Sequence, residues 1–577
     1  MFDLRGAIVG CLAVSLLATA CSAPSTRPAA RSGEAPAAAP PTRIVASIRA
    51  APAGLHQQKT NPAGLVGSVS GLDALEELVH AGLVHGDDQG NRLPQLAEAV
   101  PTLENGLWSL LPDGRMTTSW RIKPSAQWHD GTPVTSSDFV FAAGVEQNPE
   151  LGIPRNPVYD IVEAIDTPDA QTITVSWKRP YIEADGMFTY DIGLPLPRHL
   201  LEKSYTDDPA GFLGLPYWTQ EFVGAGPYRI REWVADSHVV LQANERYILG
   251  KPKIDEIEVR FVPEATTMMA NLLAGTIDLT IGRALSLEQA IQLRDKWKDG
   301  SMATKGGSWV RVTPQFINPN PTVITDVRFR RALLHAVDRQ QLVESLMGGL
   351  GGIAHTFVGP DTPEYQFVEG RMTRYDYDPR RAVQLIEEIG YTRGGDGFFH
   401  DSSGQQLVVE LRGPIQNPVH PKAVAAIADY WQAVGVRVDQ LITPIQRAQD
   451  REFLTTYPGF ELILIGNDVS SKGVRRYHSS STPLPENRYL VNGNEARYRN
   501  ADLDALIDRY VSTIPMDERM GALAGIVAHQ TQNVTVMGMI YSVTPTVFAN
   551  RIQHITAGRA GAARSTEAWN AHEWTVN

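Results

Sequence analysis

A mixed α/β protein of more than one lobe is what this sequence predicts, and three observations carry that reading. The chain has 577 residues, too many for one hydrophobic core. Alternating apolar runs of strand type recur between segments with helical spacing along the whole length. No period of 20 to 50 residues repeats, which disfavours solenoids and propellers.

The elements follow in order. Ile44 to Ile48 starts the fold as a first strand. Leu72, Leu75, Leu78, Val79 and Leu83 share the 3.6-residue rhythm of an amphipathic helix. Asp113-Gly114 makes a turn into Met116 to Ile122, which alternates as a strand. After the turn Asp130-Gly131-Thr132-Pro133, Thr135 to Asp138 forms a helix N-cap ahead of Phe139. Thr172 to Trp177 alternates again, and Tyr228 to Trp233 with Val239 to Gln242 reads as a hairpin. Ile254 to Val262, Ile277 to Leu279, Leu407 to Leu411, Val436 to Val438 and Phe460 to Ile465 are strands. Helices span Thr266 to Ala274, Val327 to Val337, Pro379 to Ile389, Ala423 to Val434, Asp502 to Val511 and Asp517 to Gln530. Gly275, Gly390 and Gly435 stop three of them.

Composition narrows the function classes. Hydrophobic residues make up 43% and charged residues 20%, a globular balance. The net charge of −12 argues against nucleic acid, which needs a basic surface. The two cysteines, Cys11 and Cys21, both precede the body, which therefore has no thiol for a disulfide, a zinc site or a nucleophile.

The N-terminus reads as an address. Arg5 precedes an apolar stretch, Ala7 to Ala20, shorter than the about 20 residues of a membrane-spanning helix. Residues 1–20 are a candidate signal peptide, with Ala18-Thr19-Ala20 as its small-residue cleavage site. Leu17 to Cys21 resembles a bacterial lipobox, which makes Cys21 the candidate lipidation site; ordinary secretion is the alternative. Residues 21–42, rich in Ala, Pro and Ser, read as a tether.

Several short segments together resemble one family. They include Trp120-Arg121-Ile122-Lys123-Pro124, Trp128-His129-Asp130-Gly131-Thr132-Pro133-Val134 and Asp138-Phe139-Val140-Phe141. Gly224-Ala225-Gly226-Pro227-Tyr228, Leu273 to Leu279, Asp326 to Leu333 and Tyr498 to Asp504 continue the series in order. The chain is thereby similar to the oligopeptide/dipeptide/nickel class of ABC solute-binding proteins, family 5. The resemblance implies a two-lobed periplasmic-binding-protein fold (type II, cluster C) with an extra subdomain in the N-terminal lobe. It implies lobe I over 43–80, 219–312 and 543–577, the subdomain over 81–218 and lobe II over 313–542. Crossing strands fall near Val310 to Asn318 and Met539 to Thr544. A peptide or other small-molecule ligand between the lobes, an ABC permease and hinge closure are implied with it. The expected protein is a monomer without cofactor or metal, extracytoplasmic and held to the membrane through Cys21. A lipoprotein of the same fold that acts through a protein or envelope lipid is the alternative.

Candidate sites divide into structural and functional readings. His129-Asp130 sits in a turn before a capped helix and reads as structural. Gly224-Ala225-Gly226-Pro227 lacks the third glycine of a phosphate loop, and Pro227 removes an amide donor. No nucleophile elbow, zinc-protease, Walker or EF-hand pattern occurs, so no catalytic or metal residue is expected. Family members hold the ligand amine with an acidic residue after a strand like Phe460 to Ile465. Asp468 takes that place, with Asn467 beside it; the alternative makes it the start of a surface loop. Here the family's tryptophan and Asp-Pro are missing. Trp309 beside a crossing strand, Ser68 and Ser70 ahead of a helix, and Asn487 complete the candidate ligand set.

Overall fold

A computed structural model describes residues 41–55, 71–152, 155–489, 493–559 and 563–577. Cys21, Ser68 and Ser70 lie outside them. The strands of the main sheet are β1 (Arg43–Ile48), β2 (Tyr228–Val234), β3 (His238–Ala243), β4 (Glu256–Phe261), β5 (Leu279–Thr280) and β6 (Gly300–Pro314). They continue with β7 (Gly352–Ile353), β8 (Val408–Pro414), β9 (Arg437–Thr443), β10 (Phe460–Gly466) and β11 (Met537–Ala549). Their order is β9-β8-β10-β6-β11-β5-β1-β4-β3-β2, with β7 on β11.

Two separate cores divide this sheet into lobes. Ile44, Leu75, Leu241 and Ile257 share one with Ala571 and Trp574. Val310, Leu333, Leu411, Trp431, Leu462 and Ile540 share the other. Among the described residues only β6 and β11 run through both regions, paired antiparallel from Gly300↔Ala549 to Val312↔Met537. They overlap both crossing segments that the resemblance implied. In lobe I, β1 is parallel to β4 and β5; in lobe II, β8 is parallel to β9 and β10. Parallel strands end together, so each lobe offers the C-terminal ends of its strands at one edge.

A four-stranded antiparallel sheet lies apart from the main one, in the order Trp108–Leu110, Met116–Arg121, Thr172–Trp177, Val162–Asp166. Trp120, Ile173, Val175 and Trp177 are buried there, and Trp177 Nε1 donates to Thr118 Oγ1 at 2.9 Å. The helix Ser136–Gln147 follows Thr135, whose N–H bonds Asp138 Oδ2 at 2.8 Å, as its capping sequence predicts.

The first helix, α1 (Leu72–Val79), ends earlier than Leu83 suggested. His80 is extended, and the loop Gly224–Gly226 crosses it there. A Cβ on Gly224 would sit 2.0 Å from Val79 O, and one on Gly226 2.4 Å from His80 N. The glycines of this loop therefore serve close backbone approach. His129 fastens the same loop: Gly224 N–H donates to its Nδ1 at 3.1 Å, and Nε2 donates to Gly226 O at 3.2 Å. Burial pushes the imidazole pKa down to about 4, which keeps the ring neutral. Asp130 accepts from Thr132 N at 2.9 Å and meets His199 Nε2 at 2.7 Å. Gly131 takes φ +93° in the turn.

Candidate functional site

The crossing strands floor a cavity of about 820 Å³ between the lobes. Gly306 to Ser308 of β6 and Ser542 to Thr546 of β11 form the floor. The pairing slips by one residue between Gly306 and Ser308, and such a bulge lets paired strands bend.

Both walls come from the edges where parallel strands end. From lobe II, Leu464 to Gly466 close β10, and Asn417 to Val419 link β8 to the helix Val419–Ala433. From lobe I, Gly282 and Arg283 follow β5, and Asp73 stands in the first turn of α1. Arg564 to Glu567, near the C-terminus, complete that wall.

The lobe I wall is rich in charge. Arg564 pairs with Asp73 at 2.5 Å, lies 3.7 Å from Asp191 and stacks over the Tyr190 ring at 4.9 Å. Glu77 accepts from Thr566 N at 3.1 Å and from Thr566 Oγ1. Burial pushes its carboxyl up to about 8, so it is largely uncharged at neutral pH. Glu567 accepts from Gly282 N, and burial raises its carboxyl too. Between the walls, Lys422 Nζ of lobe II meets Glu288 Oε2 of lobe I at 2.9 Å.

A second contact joins the subdomain to lobe II. Ser471 opens the short helix Ser471–Arg475 after β10. Its N–H donates to Glu183 Oε1 at 2.5 Å and its hydroxyl to Glu183 Oε2. Glu183 follows the strand Thr172–Trp177 and is only 7% exposed. Burial raises its carboxyl pKa against the lowering effect of the Ser471 bonds. One hydrophobic cluster runs from Trp120 and Ile182 of the subdomain to Val469, Val474 and Ile507 of lobe II.

The candidate residues predicted from sequence fall elsewhere. Trp309 follows the cavity-lining Ser308, but strand alternation turns it to the other face. It is 1% exposed, and its Nε1 has no partner among the described residues. Asn467 is buried, bonded through its N–H to Gly307 O at 2.8 Å. Asp468 accepts from Ser470 N at 3.0 Å and so starts the turn into the next helix. Asn487 is exposed and holds a local turn, accepting from Leu484 N at 2.9 Å and donating to Thr482 O at 2.7 Å. None of these four lines the cavity. Sequence reasoning missed Glu183 and Glu567 because neither lies in a motif. Each acquires its setting from partners 288 and 285 residues away.

Among the described residues no three His, Cys, Asp or Glu side chains converge as a metal site, and no helix is long and apolar enough to cross a membrane.

Comparison with known proteins places this architecture. The sequence is 26% identical over 290 residues to the putative ABC transporter peptide-binding protein of Brucella ovis, covering 48% of this chain and 52% of that one. It is 23% identical over 370 residues to the oligopeptide-binding protein AppA of Bacillus subtilis, covering 63% of each. The chain thus spans about half the length of the Brucella relative it matches. The structure of AppA from Bacillus subtilis in complex with a nonapeptide superposes with TM-score 0.63 at 18% identity, covering 93% of this chain and all of that one. NikZ from Campylobacter jejuni, in complex with Ni(L-His), gives 0.67 at 18% identity over 93% and 100%. Both show the two-lobed fold. The model of bacterial extracellular solute-binding proteins, family 5 middle region, matches residues 94–464. Members of that family are receptors and not enzymes, and this chain belongs to it.

Proposed function

We propose that the chain is the extracytoplasmic receptor of an ABC importer, capturing a peptide or related amphipathic solute between its lobes and delivering it to a membrane permease. The observation that carries this reading is the cavity on the crossing strands, walled by strand ends from both lobes. Its volume suits a small ligand, and its bulged floor suits a hinge. In this reading lobe I (43–80, 219–312 and 543–577) with its subdomain (81–218) and lobe II (313–542) rotate about β6 and β11. The solute adds contacts that only the closed form offers.

Mass spectrometry of solute released from the denatured purified protein tests the reading. A mixture of co-purified peptides is the expected result. Protein free of any solute favours instead a lipoprotein that keeps the fold and acts on a protein or envelope-lipid partner.

Cys21 is the proposed anchor, supported by the small residues before it and the Ala-, Pro- and Ser-rich segment after it. Cys21→Ala is expected to move the protein to the soluble fraction and abolish lipid labelling. Unchanged membrane association of the variant refutes the anchor.

A further inference from the structure

Arg497 carries a positive charge that lobe II leaves unmatched. The residue is 7% exposed. Among the described residues its buried Nε has no hydrogen-bond partner, and its guanidinium forms no ion pair. The titratable groups that act on it are two phenols, Tyr489 and Tyr457. Both are uncharged at neutral pH, because the bond to Glu452 raises the pKa of Tyr489 and burial raises that of Tyr457. The carboxylates beside these phenols are engaged or in solvent. Glu495 holds Arg311, Glu461 meets Arg412 at 3.2 Å, and Glu452 accepts from Tyr489 Oη at 2.9 Å; Glu486 is exposed. An arginine stays charged in a protein, and a buried charge without a counter-charge is costly to keep. The backbone adds to that cost, since Arg497 takes φ +59°. The place is remote from the inter-lobe cavity. Phe316 N–H, just past the end of β6, donates to Ala496 O at 2.9 Å. The strand from Ser308 on the cavity floor to Pro314 is about 20 Å long. Tyr457 anchors the region to lobe II: its Oη donates to Glu495 O at 3.2 Å, and Arg412 stacks over its ring at 4.5 Å.

We propose that lobe II holds a small oxyanion on Arg497. The Nε–H and one Nη–H of a guanidinium lie along one edge and match two oxygens of a carboxylate, phosphate or sulfate. The side chain is so nearly enclosed that its partner is a small ion and not an extended surface. Bound there, the anion neutralises the arginine and fastens the chain from Glu495 to Tyr498 against the end of β6. Burial pushes the guanidinium pKa down, and the anion reverses that effect. The inference is independent of what fills the inter-lobe cavity.

Thermal unfolding of the full chain tests the inference, with sodium chloride exchanged at constant ionic strength for sodium sulfate or sodium acetate. A saturable rise in the midpoint of about 2 °C is expected with at least one of the two oxyanions. Sulfate alone identifies a tetrahedral inorganic ion as the occupant, and acetate alone a carboxylate. Arg497→Met keeps the packing of the stem and removes the charge. It is expected to abolish the rise and, in chloride, to unfold no earlier than the wild type, since an unmatched buried charge is gone. Sulfate also stabilises proteins by exclusion from their surface, so an equal rise in the wild type and in Arg497→Met overturns the inference, as does no rise at all. Anomalous diffraction from crystals grown with selenate reads the site without a variant. A selenate on Arg497 Nε and Nη, together with the rise, supports the inference. Selenate bound only elsewhere overturns it, and so does selenate on Arg497 with no effect on unfolding, an adventitious ion only.

Discussion

Replacing Glu183 with glutamine changes one oxygen to an amide nitrogen in the contact that joins the subdomain to lobe II. In the wild type, both carboxylate oxygens accept from Ser471, through its N–H at 2.5 Å and its hydroxyl. Hydrogen bonds to a charged acceptor contribute about 1.5–3 kcal/mol each. Glutamine keeps one acceptor, loses the charge and turns a donor toward Ser471, so the closed form weakens by about 2 kcal/mol. In the proposed open form Glu183 and Ser471 would both meet water, so the substitution leaves that form untouched. The ratio of closed to open molecules therefore falls by about thirtyfold. If the closed form alone holds the solute firmly, affinity falls by a similar factor. Titration calorimetry with a co-purified solute measures the affinity, and small-angle scattering of the free protein measures the radius. Glu183→Gln is expected to bind more weakly and to be larger in the absence of solute. Unchanged affinity together with an unchanged radius would show that this contact does not hold the lobes together.

Three further outcomes follow from the same geometry. Glu77 binds its proton more tightly when folded, with a pKa near 8 against the ordinary 4.5; its stabilising effect is complete below pH 4.5 and lost as pH rises through 8. Glu77→Gln should flatten that decline between pH 5 and 9 in thermal unfolding, and an unaltered pH dependence refutes the assignment. Gly226→Ala places a methyl group 2.4 Å from His80 N and Val79 C and should cost about 3 kcal/mol in denaturant unfolding; a loss below about 1 kcal/mol means the loop yields. Asp468→Asn should leave solute affinity unchanged, since Asp468 lies outside the cavity and bonds Ser470; a marked loss returns it to the site.

Much of the architecture was legible because local pattern and tertiary contact agree. The helix after Thr135, the hairpin of β2 and β3 and the strand Phe460 to Gly466 carry their own periodicity and punctuation. The N-terminal half of β6 does not. Gly300 to Ser308 holds three glycines and little apolar surface, and becomes a strand because β11 pairs with it from Gly300↔Ala549 onward. The site was harder for the same reason. Asp468 has the residue type of an amine partner, but only the fold reveals that its carboxylate is turned to Ser470. Glu567 looks like an ordinary surface acid in Ser565-Thr566-Glu567-Ala568. Its burial arises where a C-terminal segment meets Gly282, a meeting that no local spacing encodes.

Lobe I also sets a timetable. Ile44, Leu75 and Ile257 share their core with Ala571 and Trp574, both fully buried, and β11 is wedged between β6 and β5. A ribosome delivers the first of these residues long before the last. Lobe II, whose core runs from Val310 to Ile540, has its parts in hand sooner. Contacts of such long sequence separation form slowly. The β5 strand must therefore wait with one flank unpaired until its β11 partner, 267 residues further on at the Thr280–Val547 contact, emerges. That delay suits a polypeptide threaded through a narrow pore before it folds, and it exposes β5 to proteases and aggregation if threading stalls.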